Sequence, residues 1–413
     1  MLSPSSREVP ISEPLQTPTI LCISTYEKGQ PFLRELAHLG VNVILLTVDQ
    51  LGGAVWPRNS ISRLITMPEA LSLKQILHTV TYLARTQPID RIVALDEFDL
   101  ETAALLREHL RLPGMGESVT RLFRDKLAMR VRAMQAGIRV PDFTPVFHYD
   151  DVRGFLANVP SPWLLKPRTN ASAIGIHKLH HAAELWPLLD SLGDLGSGYL
   201  LERFVPGEIF HVEGIVSKRE VLFSIPFQYG QPPMQTMHEG GVFTTRTVDR
   251  NSTDAHTLSS MHREVLSALG MVSGVTHTEF IRSHADNQFY FLETAARVGG
   301  AYIADVVEYA AGLNPWVEWA RLEAAALFGR PYTLPELRHG YAGSVICLAR
   351  QGQPDTSAYT DPEIVRRLHQ HHHAGIIVQS PSPSRVAALT TDYAQRFLRD
   401  FCASMPVLEK PTA

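Results

Sequence analysis

Apolar positions along the chain fall into short unbroken blocks separated by stretches with helical spacing. TILCIS (19–24), VNVILLTVD (41–49) and RIVALDE (91–97) are such blocks, and each reads as a buried strand. A helical stretch to Leu39, closed by Gly40, joins the first two, and DLETAALLREHL follows the third. Strands alternating with helices predict a doubly wound, parallel α/β domain over 19–115. The Pro- and Ser-rich residues 1–18 ahead of it are expected to be a disordered lead-in.

From residue 116 the pattern changes to an α+β one. RDKLAMRVRAMQAG (124–137) is a basic amphipathic helix ended by Gly137. WLLKPR (163–168) is a strand ending in charge, and TNASAIG (169–175) is a loop of small residues. YLLERFVPGEIFHVEGIV (199–216) is two strands split at Pro206-Gly207. VTHTEFIRSHADNQFYFLET (275–294) reads as a hairpin turning at SHADN, which sets Glu279 roughly opposite Glu293. A helix is expected from Gly299 or Gly300 to Gly312, and Asn314-Pro315 caps another. The tail beyond 340 alternates strand and helix and is expected to join the same core; there are no internal repeats.

Composition narrows the function classes. The 413 residues are enough for about three domains, and 45% hydrophobic with 19% charged content is ordinary for a globular protein. A net charge of -4 gives no electrostatic case for nucleic acid or an anionic membrane, so neither is expected as a partner. No apolar run approaches the ~18 residues of a membrane helix, and the N-terminus lacks the basic start and apolar core of a secretory signal. Cys22, Cys347 and Cys402 are odd in number and form no CxxC, which points to a reduced, cytoplasmic protein with Cys22 and Cys347 in the core. Neither GxGxxG nor GxxxxGK[ST] is present, so the dinucleotide and P-loop fingerprints are absent.

Four groups of residues carry candidate chemistry. Glu279 and Glu293, side by side, repel unless a cation lies between them, and two hard carboxylates suit Mg²⁺; the alternative is that one faces solvent. Lys166, ahead of the small-residue loop, and Lys126 could bind phosphate with the loop's N–H groups, or the loop is only a turn. The backbone of Glu202 to Val205 could read adenine while Glu208 takes ribose hydroxyls, although any hairpin offers such groups. Arg297, ahead of Gly299 and Gly300, reads as an anion site beside a helix start.

Taken in order, DK…M…AGI, the KP strand, the small-residue loop, ERFVPGE and E…E…R resemble the ATP-grasp enzymes, with FLETAARVGG most similar to the carboxylate–amine ligase and biotin-carboxylase-like branch. The resemblance implies a central region with a small lobe over 116–205 and a C-terminal lobe over 206–413, which clamp ATP between them. It implies that Lys126 and Lys166 touch ATP phosphates and that the loop from Thr169 through Ser172 to Gly175 closes over them. Glu202, Phe204 and Val205 would hold adenine, and Glu208 with His211 would meet ribose or phosphates. Glu279 and Glu293 would bind Mg²⁺, with Mn²⁺ as an alternative, and Arg297 and Lys166 would be catalytic. The usual E-x-N-x-R has Ala295 at its middle position here, which removes one expected ligand for a second metal ion.

The implied reaction joins a small-molecule carboxylate to an amine through an acyl phosphate, releasing ADP and phosphate. Two other readings stay open: a bicarbonate-activating, biotin-carboxylase-like enzyme, and a nucleotide-binding module without turnover. His238, Arg246, Gly299, Gly300, Tyr302 and Trp316 are candidate substrate residues. HQHHH (369–373) reads as a solvated surface able to bind metal adventitiously, and a homodimer is the family-level expectation.

Overall fold

The structure is a computed structural model and describes residues 17–171, 174–234, 236 and 240–403. Almost all of the lead-in therefore lies outside the described residues, as do Ser172 and His238. Among the described residues no helix is long and apolar enough to cross a membrane.

Three sheets form the frame. The first is parallel, with strands β1 (Thr19–Ile23), β2 (Asn42–Val48), β3 (Arg63–Met67) and β4 (Arg91–Ala94) in the order β3-β2-β1-β4. β1 is buried along its whole length, as an inner strand of a parallel sheet covered on both faces must be. Leu21 and Ile23 face one apolar cluster while Ile20 and Cys22 face another, which also takes Phe32 of helix Gln30–His38 and Trp319 of helix Pro315–Leu327. The N-terminal sheet and the C-terminal part thus share one core.

The second sheet is small and antiparallel: β5 (Phe143–Pro145), β6 (Trp163–Pro167), β7 (His177–Leu179) and β8 (Tyr199–Arg203), in the order β5-β8-β6-β7. The third has eight antiparallel strands. These are β9 (Gly207–Ser217), β10 (Glu220–Tyr229), β11 (Phe243–Thr247), β12 (Gly274–Ser283), β13 (Phe289–Ala295), β14 (Tyr341–Leu348), β15 (Ile364–Arg367) and β16 (His373–Ser380). Their order is β13-β12-β9-β10-β11-β14-β16-β15.

The tail joins this sheet through β14 to β16 but buries its helix Pro383–Asp400 in a cluster of its own, around Tyr359, Tyr393 and Phe397, rather than in the main core. Cys22 and Cys347 are buried free thiols, as expected. Asn314 accepts a hydrogen bond from Trp316 N at 3.0 Å and caps its helix with Pro315 at the first position. The helix expected from Gly299 or Gly300 begins only at Ile303, because Ala301 and Tyr302 both take left-handed backbone angles, φ 48° and 59°. Such angles are strained for residues with a Cβ and cluster at functional sites.

Candidate functional site

The hairpin register places Glu279 directly opposite Glu293. One step further Phe280 pairs with Phe291, so Leu292 is an extra residue and the strand is bulged there. The bulge turns Leu292 and Glu293 together into a cleft of about 560 Å³. Glu279 and Ile281 of β12, and Gly207 and Ile209 of β9, form the same wall by strand alternation. Leu164 and Lys166 of β6, with Phe204 and Val205 after β8, form the opposite one. The volume lies within the range of nucleotide-sized ligand sites.

Lys126, Lys166, Glu202, Glu279 and Glu293 each already have a polar protein partner. Asp125 caps helix Lys126–Gln135, accepting from Leu127 N at 3.0 Å, and sets Lys126 at the helix start. The Lys126 ammonium lies 2.9 Å from Glu293 and donates to Asn170 O at 2.6 Å. Lys166 donates to Glu202 at 2.7 Å, and the same carboxylate takes Arg130 at 2.8 Å. Burial opposes the charge on Glu202, but Arg130 and Lys166 overcome it and hold its carboxyl below the ordinary value. Glu202→Gln leaves two buried cations without a counter-charge and is expected to cost about 3–5 kcal/mol of stability, measured by urea denaturation.

Glu279 accepts from Tyr229 at 3.0 Å and lies 3.4 Å from His277 Nε2. His277 Nδ1 donates to Glu213 at 2.5 Å, and His211 Nδ1 meets the same oxygen at 2.7 Å. Burial works against a charge on His277, but Glu213 overcomes it and raises the imidazole to about 10. An imidazolium therefore stands between Glu213 and Glu279. The expected repulsion between Glu279 and Glu293 is relieved in this way, by His277 on one side and Lys126 on the other. His211, Glu213 and His277 also lie close enough to form a potential metal cluster, but their short mutual hydrogen bonds satisfy them.

Two hard carboxylates remain at the mouth, and Glu293 keeps 34% of its side chain exposed. This donor set fits Mg²⁺ or Mn²⁺. Ala295, in place of asparagine, adds no oxygen ligand and lines the neighbouring pocket.

That second pocket, about 250 Å³, shares Lys126, Ala171, Pro233, Glu279 and Glu293 with the first. Its polar end holds Arg297 and Glu97. Arg297 is not a free guanidinium: its Nε donates to Glu97 at 2.8 Å, Nη2 lies 2.6 Å from it, and Nη1 donates to Val298 O at 3.0 Å. Arg124 adds a second cation, 3.1 Å from Glu97. Burial disfavours charge on Glu97, yet Arg297 and Arg124 hold its carboxyl down to about 2.

Glu97 belongs to an acidic run, Asp96 to Asp99, just past the C-terminal end of β4. That end of a parallel sheet is where α/β folds bind ligands. Lys28 pairs with Asp96, and Thr25 N donates to Asp99 at 2.9 Å. Burial pushes Asp99 up from 3.8 to about 7. The folded chain then keeps a proton that the unfolded chain has lost, so stability falls as pH rises from about 4 to about 7. Asp99→Asn removes the penalty. It is expected to raise the melting temperature more at alkaline pH than at acidic pH, on a scale of about 1.4 kcal/mol per pKa unit.

The other expected site residues fall into three groups. Lys126, Lys166, Glu202, Phe204, Val205, Glu279 and Glu293 line the cleft, while Arg297 and Gly300 line the second pocket. Thr169 and Gly175 flank residues that line the cleft. The Thr169 carbonyl accepts from Arg124 at 2.5 Å, and Gly175 has φ +75° with Pro167 2.9 Å from where a Cβ would sit, so that turn requires glycine.

Glu208 and Arg246 do not face either cavity, contrary to expectation. Strand alternation puts Glu208 on the face opposite Gly207 and Ile209, where Arg282 and Gln228 hold its carboxylate; Arg246 donates to Gln228 at 2.6 Å on the same side. His211 is wholly buried behind Tyr229 and His277 and touches neither cavity. Gly299 packs on Glu213, Tyr302 donates to Gln370, and Trp316 stacks on Trp319; none of these lines the second pocket. The HQHHH stretch gathers no set of three ligands among the described residues.

Comparison with known proteins agrees with this fold. No family model matches the chain. The crystal structure of an L-amino acid ligase from Bacillus licheniformis superposes with TM-score 0.72 at 20% identity, covering 94% of this chain and 99% of that one. An N5-carboxyaminoimidazole synthetase from Staphylococcus aureus, complexed with ADP, gives 0.68 at 15% identity over 91% and 96%. The chain has the ATP-grasp fold. By sequence, an L-arginine-specific L-amino acid ligase from Bacillus subtilis is 26% identical over 235 residues, 55% of this ATP-grasp chain and 56% of that protein. The match thus spans little more than half of that relative.

Proposed function

We propose that this ATP-grasp protein is a carbon–nitrogen ligase that joins an amino acid, through its carboxylate, to an amine at the expense of ATP. The observation that carries this reading is the pair of cavities meeting at Lys126, Glu279 and Glu293. A nucleotide in the larger cleft would point its terminal phosphate at the substrate in the smaller one. The smaller pocket offers both charge signs, which suits a zwitterion: Arg297 for its carboxylate and Glu97 for its ammonium. A pocket of about 250 Å³ is larger than bicarbonate needs, which disfavours the carboxylase reading.

In the first step a carboxylate oxygen attacks the γ-phosphorus and the bond to ADP breaks, giving an acyl phosphate. In the second an amine nitrogen attacks the acyl carbon; phosphate leaves with one former carboxylate oxygen, and the nitrogen loses its proton. Lys126 and Lys166 neutralise phosphate charge and Arg297 orients the carboxylate. Glu279 and Glu293 would hold Mg²⁺, which supplies Lewis-acid stabilisation of phosphate charge. The division into 19–115, 116–205 and 206–413 belongs to the same reading.

ADP release from Mg-ATP, followed with pools of amino acids and amines, tests the proposal. ADP that requires both partners, with a product of their condensed mass, is the expected result. ADP that appears with bicarbonate alone would replace it with the carboxylase reading.

A further inference from the structure

A third cavity, about 260 Å³, lies behind the substrate pocket and shares no lining residue with either site cavity. Ala296 lines it, whereas its neighbours Ala295 and Arg297 line the substrate pocket, so the two stand back to back across one segment. Edge strand β4 forms one wall, and helix Pro315–Leu327 forms another. Ile92, Leu100, Met271, Trp319 and Leu322 make most of the surface apolar.

The charges in this cavity do not balance. Arg91, Arg107, Lys218 and Arg330 line it against one acid, Glu323. Arg91 lies 2.6 Å from Glu323, and Trp319 donates to the same carboxylate at 3.2 Å. Arg107 is only 8% exposed, yet it donates only to backbone carbonyls: Met115 O at 3.1 and 2.8 Å, and Ile92 O at 3.0 Å. Among the described residues it forms no ion pair, and three N–H···O bonds leave two of its five donors unused. Burial lowers Arg107 to about 10, so it is still a cation at neutral pH. Gly114 holds the loop against it: a Cβ there would sit 2.6 Å from Arg107 Cδ. Glu323 and Glu108 act on Arg107 only through space, with Glu323 held by Arg91, and an anion bonded to Arg107 would offset the cost of burying its charge.

We propose that this rear cavity binds a small carboxylate with an apolar body, its carboxylate on Arg107 and its body against Trp319 and Leu322. This assignment does not depend on the ligase reading.

Calorimetric titration of the full chain with 3-phenylpropanoate, and with its neutral amide as control, tests it. One saturable site is expected, with the amide about tenfold weaker or worse. Ala325→Phe, which fills the cavity, and Ala326→Phe, at its exposed rim, are each expected to weaken binding by about tenfold. Circular dichroism would confirm that both variants are folded. Glu293→Gln, which alters the other two cavities and keeps the fold, should leave the affinity unchanged. Equal binding of the amide, binding that survives both alanine-to-phenylalanine variants, binding lost in Glu293→Gln, or no saturable binding at millimolar probe would overturn the proposal.

Discussion

Glu293→Gln is expected to lower substrate-dependent ADP formation by about a hundred- to a thousandfold while the fold stays intact. Glu293 sits where the two cavities meet, one-third exposed, with Lys126 as its ion-pair partner. Lys126 keeps its bond to Asn170 O when that charge is removed, so the structural cost is small. The functional cost is large, because the amide cannot replace a carboxylate at a divalent cation facing phosphates. Steady-state ADP release and a thermal melt on the same preparation measure both. Unchanged turnover in Glu293→Gln would remove this carboxylate from the reaction.

The second large effect concerns Glu97 and Arg297. Either single variant, Glu97→Gln or Arg297→Met, leaves a buried charge without its main partner and is expected to cost about 3–5 kcal/mol of stability. Glu97 would keep Arg124, and that residual pairing makes Arg297→Met the milder of the two. The double variant should be more stable than Glu97→Gln alone, because it leaves only Arg124, rather than Arg124 and Arg297 together, without a carboxylate. Activity should not recover, since neither end of a zwitterionic substrate then has a partner. Urea denaturation of the four proteins, with amino-acid-dependent ADP release, separates structure from function. A double variant that regains activity would show that the pair serves the fold alone.

Much of the architecture is legible in the sequence because it is written in alternation. The apolar blocks at 19–24, 41–49 and 91–97 became strands of the parallel sheet, and the hairpin register of Glu279 with Glu293 follows from the SHADN turn. Alternation also held information that the sequence reading left unused. Glu208 lies one residue from Gly207 and Ile209, so it had to face away from the cleft they line. His211 and Glu213 on one strand, and His277 and Glu279 on the next, stand at alternate positions, a pattern that marks a polar cluster inside a sheet.

Other features were hidden for physical reasons. The bulge at Leu292 depends on cross-strand pairing, which no local pattern encodes. Glu97 was read as the end of a strand because its partner is 200 residues away. Arg297 looked like a free anion site for the same reason.

The most direct test of the account is the fate of oxygen in the substrate carboxylate. An amino acid labelled with ¹⁸O at its carboxyl group would be turned over with Mg-ATP and an amine, and the released phosphate examined by mass spectrometry. Activation through an acyl phosphate predicts one labelled oxygen in the phosphate for each amide bond formed. Amide formation with unlabelled phosphate, or with AMP in place of ADP, would contradict the mechanism proposed for this site.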